Sequence, residues 1–235
     1  MRLSMTSPKS SILVWDLPLR LFHWMAALSF AGAWLTAETE RWRLLHVTLG
    51  YTLAGLLVFR LLWGLIGTRH ARFADFVRGP GAVRRYVVAL LRGRPEHHVG
   101  HNPAGALAIM ALLTLGSLSA VTGWAVYEQL GGDWLSAAHD IAASVMLAVV
   151  GVHLLGVVVA SWLRQENLVA SMITGRKAGA PEQGIRSAWR SVAALMLVAV
   201  MSYWWLQWPS APDGVGADTS QLKRNSDGGS NSERR

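Results

Sequence analysis

Of the eight histidines in the chain, four fall inside or at the mouths of long apolar segments: His23, His46, His139 and His153. Neutral imidazole is the commonest protein ligand for a transition metal. An ionisable side chain at membrane depth is costly and marks function by default. His139 and His153 lie 14 residues apart in one segment. On an α-helix that spacing leaves both rings on nearly the same face, about 21 Å apart along the axis. One helix therefore offers imidazoles at two levels, and the question is which elements bring partners to each level.

Five apolar segments can do so, at about 17–37, 44–66, 103–127, 137–163 and 188–208. Each approaches the roughly 20 residues that cross a bilayer, and 52% of the chain is apolar. A soluble domain of this size needs no such set. Helices satisfy every backbone polar group in lipid, so all five are expected to be helical. Asn102-Pro103 is a helix-start signal for the third. Several of the 12 tryptophans flank the segments, as in interfacial belts. Cysteine is absent, which excludes disulfides, iron–sulfur clusters, thiolate metal sites and covalent haem attachment through cysteine.

The net charge of +8 does not imply nucleic-acid binding, because the basic residues gather in loops. Arg69, Arg72, Arg78, Arg84, Arg85, Arg92 and Arg94 lie in the 2–3 loop, and Arg164, Arg176, Lys177 and Arg186 follow segment four. The 3–4 loop has Glu128 and Asp133 with no Lys or Arg. Basic loops stay on the cytoplasmic side, so the N-terminus and the 2–3 and 4–5 loops are expected inside and the tail from Pro209 outside. Segment one also carries marks of a signal peptide, with Lys9 and Arg20 before an apolar run and Ala31-Gly32-Ala33 as a cleavage-like site; cleavage there would discard His23. In the 2–3 loop, residues 73–76 and 83–91 could form short amphipathic helices on the membrane face.

With 1.5 Å of rise per residue, His46 lies about 13 Å and His139 about 16 Å outward of their segments' midpoints, while His23 lies about 6 Å and His153 about 5 Å inward. Depth pairs His46 with His139 and His23 with His153. Two imidazoles on one iron make a six-coordinate haem that suits electron transfer. The positions three and four residues after each histidine include at least one Gly or Ala, which lets a flat macrocycle approach the backbone. Inter-helical hydrogen bonding, or a metal-ion relay, would use the same histidines; a transporter would be expected to add intramembrane Asp or Glu. Arg60 follows His46 by 14 residues and Arg20 precedes His23 by three. Both are candidates to pair with propionates of the inner haem, or else to snorkel to headgroups. His70, His97, His98 and His101 fall in the 2–3 loop, with His101 expected near the surface.

Several runs resemble the bacterial cytochrome b561 family, including the b-type cytochrome subunits of nickel–iron hydrogenases. They are Val14-Trp-Asp-Leu-Pro-Leu-Arg-Leu-Phe-His23-Trp24, His46 with Gly50, Arg60-Leu-Leu-Trp-Gly64, Gly100-His-Asn-Pro-Ala-Gly105, Thr122-Gly-Trp124, and the pair His139 and His153. The resemblance implies two b haems on a four-helix core, with His23, His46, His139 and His153 as ligands and electrons exchanged between quinone and a partner protein.

The expected architecture is an all-α integral membrane protein: a four-helix haem-binding transmembrane bundle plus a fifth C-terminal transmembrane helix. Its parts are a cytoplasmic segment 1–13, the di-haem domain 14–174, a linker 175–187, the fifth helix 188–208 and a disordered polar tail 209–235. The expected role is electron transfer in the bacterial inner membrane. Quinone or quinol would be one partner; the other would be an outer-face c-type cytochrome, dehydrogenase or hydrogenase. A superoxide-oxidising, quinone-reducing cytochrome, a histidine-lined metal-ion transporter and a haem-bearing tether are the alternatives.

Overall fold

The computed structural model describes residues 10–93 and 99–207. The expectations for Lys9, Arg94, His97, His98, Trp208 and the tail fall outside the described residues. Helices dominate: α1 (Leu17–Thr36), α2 (Arg43–Ile66), α3 (Phe73–Phe76), α4 (Pro80–Leu91), α5 (Pro103–Tyr127), α6 (Asp133–Arg164), α7 (Leu168–Thr174) and α8 (Arg190–Gln207). Residues up to Val198 form one compact unit; residues 199–207 belong to a second.

Local chemistry sets the helix ends. The Asp16 carboxylate caps α1 by accepting from Leu19 N at 2.7 Å, with proline in the first turn. Asn102 caps α5 in the same way through Gly105 N at 2.7 Å, and Pro103 opens the helix. Asn167 caps α7, which ends on Gly175 in the left-handed region (φ 79°). Helix α6 starts at Asp133, four residues before the apolar run begins. Its start is set by the turn at Gly131 (φ 81°) and Gly132, which apolarity does not report.

Helix α1 packs along α2 and α5 along α6, giving two hairpins; α2 packs on α5 to join them. Of the long helices, only α5 packs extensively along α6. Among the described residues, α2, α5 and α6 are long and apolar enough to cross a membrane. The 2–3 loop does form two short helices, and α4 packs against α5. Helix α3 sits tightly on α2, because a Cβ at Gly64 would collide with the Phe73 ring.

A two-stranded sheet links regions that the sequence reading assigned to an N-terminal segment and a linker. Strand β1 (Ser10–Leu13) pairs antiparallel with β2 (Arg176–Gly179), with Ser11 opposite Ala178 and Ile12 opposite Lys177. The sheet continues into the core through Val14 N and Trp15 N, which donate to Gly175 O at 2.8 and 3.1 Å. Lys177 is buried and paired with Glu166 at 3.4 Å. Burial holds the Lys177 ammonium below the usual lysine range, and Glu166 opposes that shift. The pairing register predicts that Ser11→Cys/Ala178→Cys forms a disulfide on mild oxidation, since opposed strand residues have the Cα separation a disulfide needs. The chain has no other cysteine, so a mass decrease of about two protons checks it; a fully reduced pair would contradict the register.

Candidate functional site

His46 projects from α2 and His139 from α6, and their ring centroids are 6.2 Å apart. Each ring is held from behind by its own hairpin. His46 Nδ1 lies 2.8 Å from Ala33 O of α1. His139 Nδ1 lies 2.9 Å from Ser119 O of α5, with Thr122 Oγ1 at 3.4 Å. A carbonyl only accepts, so Nδ1 carries the proton in both rings and Nε2 keeps its lone pair. This is the tautomer that a metal ligand requires, with a carbonyl behind it. Gly123 makes the second support possible: a Cβ there would stand 2.8 Å from His139 Cε1. Thr122 and Gly123 thus hold a ring on the next helix, a role visible in the sequence only as a recurring motif.

The structure also brings His23 of α1 and His153 of α6 near enough for their charges to interact. His23 packs edge-on to Trp24 at 5.1 Å. Its Nδ1 is buried and has no hydrogen-bond partner among the described residues. Of the two expected pairs, the structure sets the His46 and His139 rings side by side.

The two arginines differ. Arg60 is 1% exposed and does not reach outward. Its guanidinium lies over the Phe73 ring at 4.8 Å and the Phe76 ring at 5.9 Å. Neither Nη1 nor Nη2 meets a hydrogen-bond partner among the described residues. Arg20 instead donates through Nε to Met172 O at 3.3 Å and through Nη2 to Ile173 O, which ties α1 to the last turn of α7.

His101, expected near the surface, is half-buried among neighbouring elements. Its ring is sandwiched between Trp15 and Phe76, with both centroids 4.6 Å away, and its Nδ1 is buried. Burial pushes its pKa down to about 3, helped by the positive charge of Arg60.

The prokaryotic cytochrome b561 family model matches residues 14–175. The chain belongs to this family. Similar curated proteins are each named a probable Ni/Fe-hydrogenase B-type cytochrome subunit. The one from Azotobacter vinelandii is 33% identical over 53% of this chain and 63% of its own length. That from Rhizobium leguminosarum bv. viciae is 25% identical over 72% and 90%, and that from Escherichia coli K12 is 24% identical over 49% and 60%. The chain thus spans less than two thirds of the Azotobacter relative. No solved structure matches.

Membership of a b-type cytochrome family implies haem b, and the first histidine pair fits it. His46 and His139, with ring centroids 6.2 Å apart and a carbonyl behind each Nδ1, would hold the haem between them. A Cβ at Gly50, one turn after His46, or at Gly156, one turn after His153, would meet nothing within 4 Å.

Two predictions follow from this geometry. Gly123→Leu should displace the His139 ring and reduce haem bound per chain, measured as the pyridine haemochrome; unchanged haem content would make the close contact dispensable. His101 titrates near 3 in the fold against 6.5 in the unfolded chain, so the unfolded chain binds the proton first. Its contribution is complete above pH 6.5 and is lost as pH falls toward 3. Thermal unfolding in detergent should show a smaller drop in Tm between pH 7 and 5 for His101→Gln than for wild type.

Proposed function

We propose that this chain is a di-haem b-type membrane cytochrome that passes electrons between the quinone pool and a redox partner protein. The ligand pairs are His46 with His139 and His23 with His153. The observation that carries the reading is the His46–His139 pair, with ring centroids 6.2 Å apart and both Nδ1 atoms held by carbonyls. Haem b supplies reversible one-electron chemistry when bound. The protein's part is to fix ring orientation and surround the site with low-dielectric helices. Arg60, whose Nη groups meet no partner among the described residues, is read as the positive charge that would pair with a propionate of the inner haem. Arg20, already occupied on α7, is read as a structural tie.

Helices α1, α2, α5 and α6 form the transmembrane core and α8 a fifth span in the bacterial inner membrane. The concentration of Arg and Lys in the 2–3 and 4–5 loops supports a cytoplasmic placement for both, and for the N-terminus. His46 and His139 then lie near the outer face. The names of the relatives support a nickel–iron hydrogenase as the redox partner there.

His139→Ala should abolish the outer haem and leave the inner, and His23→Ala the reverse, as read by haem quantification and redox titration of the α-band. Loss of only the inner centre in His139→Ala would overturn the pairing. Arg60→Gln should lower the midpoint potential of the inner haem, because a positive charge stabilises the electron-bearing state, and leave the outer one nearly unchanged; equal inner potentials would remove Arg60 from the site. For topology, cysteines at the exposed positions Ser136 and Ser187 should be labelled by an impermeant reagent in spheroplasts at 136 only. Labelling at 187 alone would invert the orientation.

A further inference from the structure

A cavity of about 330 Å³ opens beside the first turn of α5, away from the paired histidines, and is lined by Arg69, His70, Phe76, Arg78 and His101, among others. We infer that it binds a phosphate group, held by Arg69 and Arg78.

The charge balance of the lining points to an anion. Its one carboxylate, Asp75, is already paired with Arg72 at 3.0 Å. Arg69 and Arg78 are exposed, and neither makes an ion pair with a described residue; Arg78 reaches only the Asp75 carbonyl, at 3.5 Å. His70 Nε2 donates to Gln183 O at 2.8 Å, which fixes that ring against the 4–5 loop. Behind Phe76 stands the buried guanidinium of Arg60, whose field adds to the same sign. Planar guanidinium forks suit phosphate oxygens.

Size and position favour a phosphodiester carried on a lipid. At about 30 Å³ per water, the cavity has room for a phosphate together with a glycerol unit. It lies at the end of α5, a helix long and apolar enough to span a membrane. Trp189, exposed and 5.5 Å from Trp63, lies at the same end of the bundle, as tryptophans do at headgroup level. Basic pockets at that level on the cytoplasmic side bind anionic headgroups. The inference rests on the membrane reading of α2 and α5 but not on the haem assignment.

The test uses the full haem-loaded chain in neutral detergent and native mass spectrometry, with three probes: short-chain phosphatidylglycerol, phosphatidylcholine of equal chain length, and inorganic phosphate. Saturable phosphatidylglycerol binding, well above that of phosphatidylcholine, is expected. Arg69→Gln/Arg78→Gln should weaken it by about thirtyfold, at about fivefold per lost arginine. Arg84→Gln, exposed on the neighbouring α4, should leave it unchanged. Asp75→Asn should tighten it, because a negative charge leaves the wall. Competition by millimolar inorganic phosphate would assign a soluble phosphate source, and no competition a lipid headgroup. Equal binding by wild type and the double variant, or no preference for phosphatidylglycerol over phosphatidylcholine, would overturn the inference. The α-band recorded on each sample reports the haem reading separately.

Discussion

A carboxylate fully shielded from solvent holds one end of the bundle together. Asp16 is 0% exposed and accepts from Leu19 N, from Trp63 Nε1 at 3.2 Å and from Thr68 Oγ1. Those donors belong to the start of α1, the last turn of α2 and the turn that follows it. Leaving a buried donor unmet costs about 1–3 kcal/mol per group, so the three elements stay in register. The register has electrostatic reach. Arg60 lies one turn before Trp63 on α2 and is close enough to feel the Asp16 charge. A buried cation is tolerable only with such a counter-charge near it, and the aromatic faces of Phe73 and Phe76 add to its support.

The same rule, that no polar group goes unmet in an apolar interior, organises the other end. Within each hairpin one helix presents an imidazole and its neighbour holds that ring from behind. Helix α1 serves His46 of α2 through the Ala33 carbonyl, and α5 serves His139 of α6 through the Ser119 carbonyl. The division of labour makes each hairpin a prepared half-site, and it explains why Gly123 must lack a side chain where α5 meets the His139 ring.

Features carried by local signals were legible in the sequence. The spans of α2 and α5, the Asn102-Pro103 start and the approach of His46 to His139 depend on composition and a fixed helical rise. Others depend on contacts distant in the chain. Strands β1 and β2 are four residues each and join the two sides of the bundle domain; nothing in Ser10–Leu13 or Arg176–Gly179 announces its partner. His101 is enclosed by Trp15 and Phe76, which come from separate elements, so its burial has no local mark. The direction of Arg60 had to await the aromatic rings of α3. The start of α6 was misplaced because Gly131 and Gly132 end the preceding turn before the apolar run begins.

One packing relation bears on the life of the protein in the cell. The two hairpins meet along a single α2–α5 seam, while α6 faces α1 and α2 mainly across the histidines. A group that binds both sides at once adds its affinity to the stability of the folded state. On the proposed ligand pairing, haem would act as the mortar between two prefabricated walls as well as a redox centre, and a chain without it would keep only the seam.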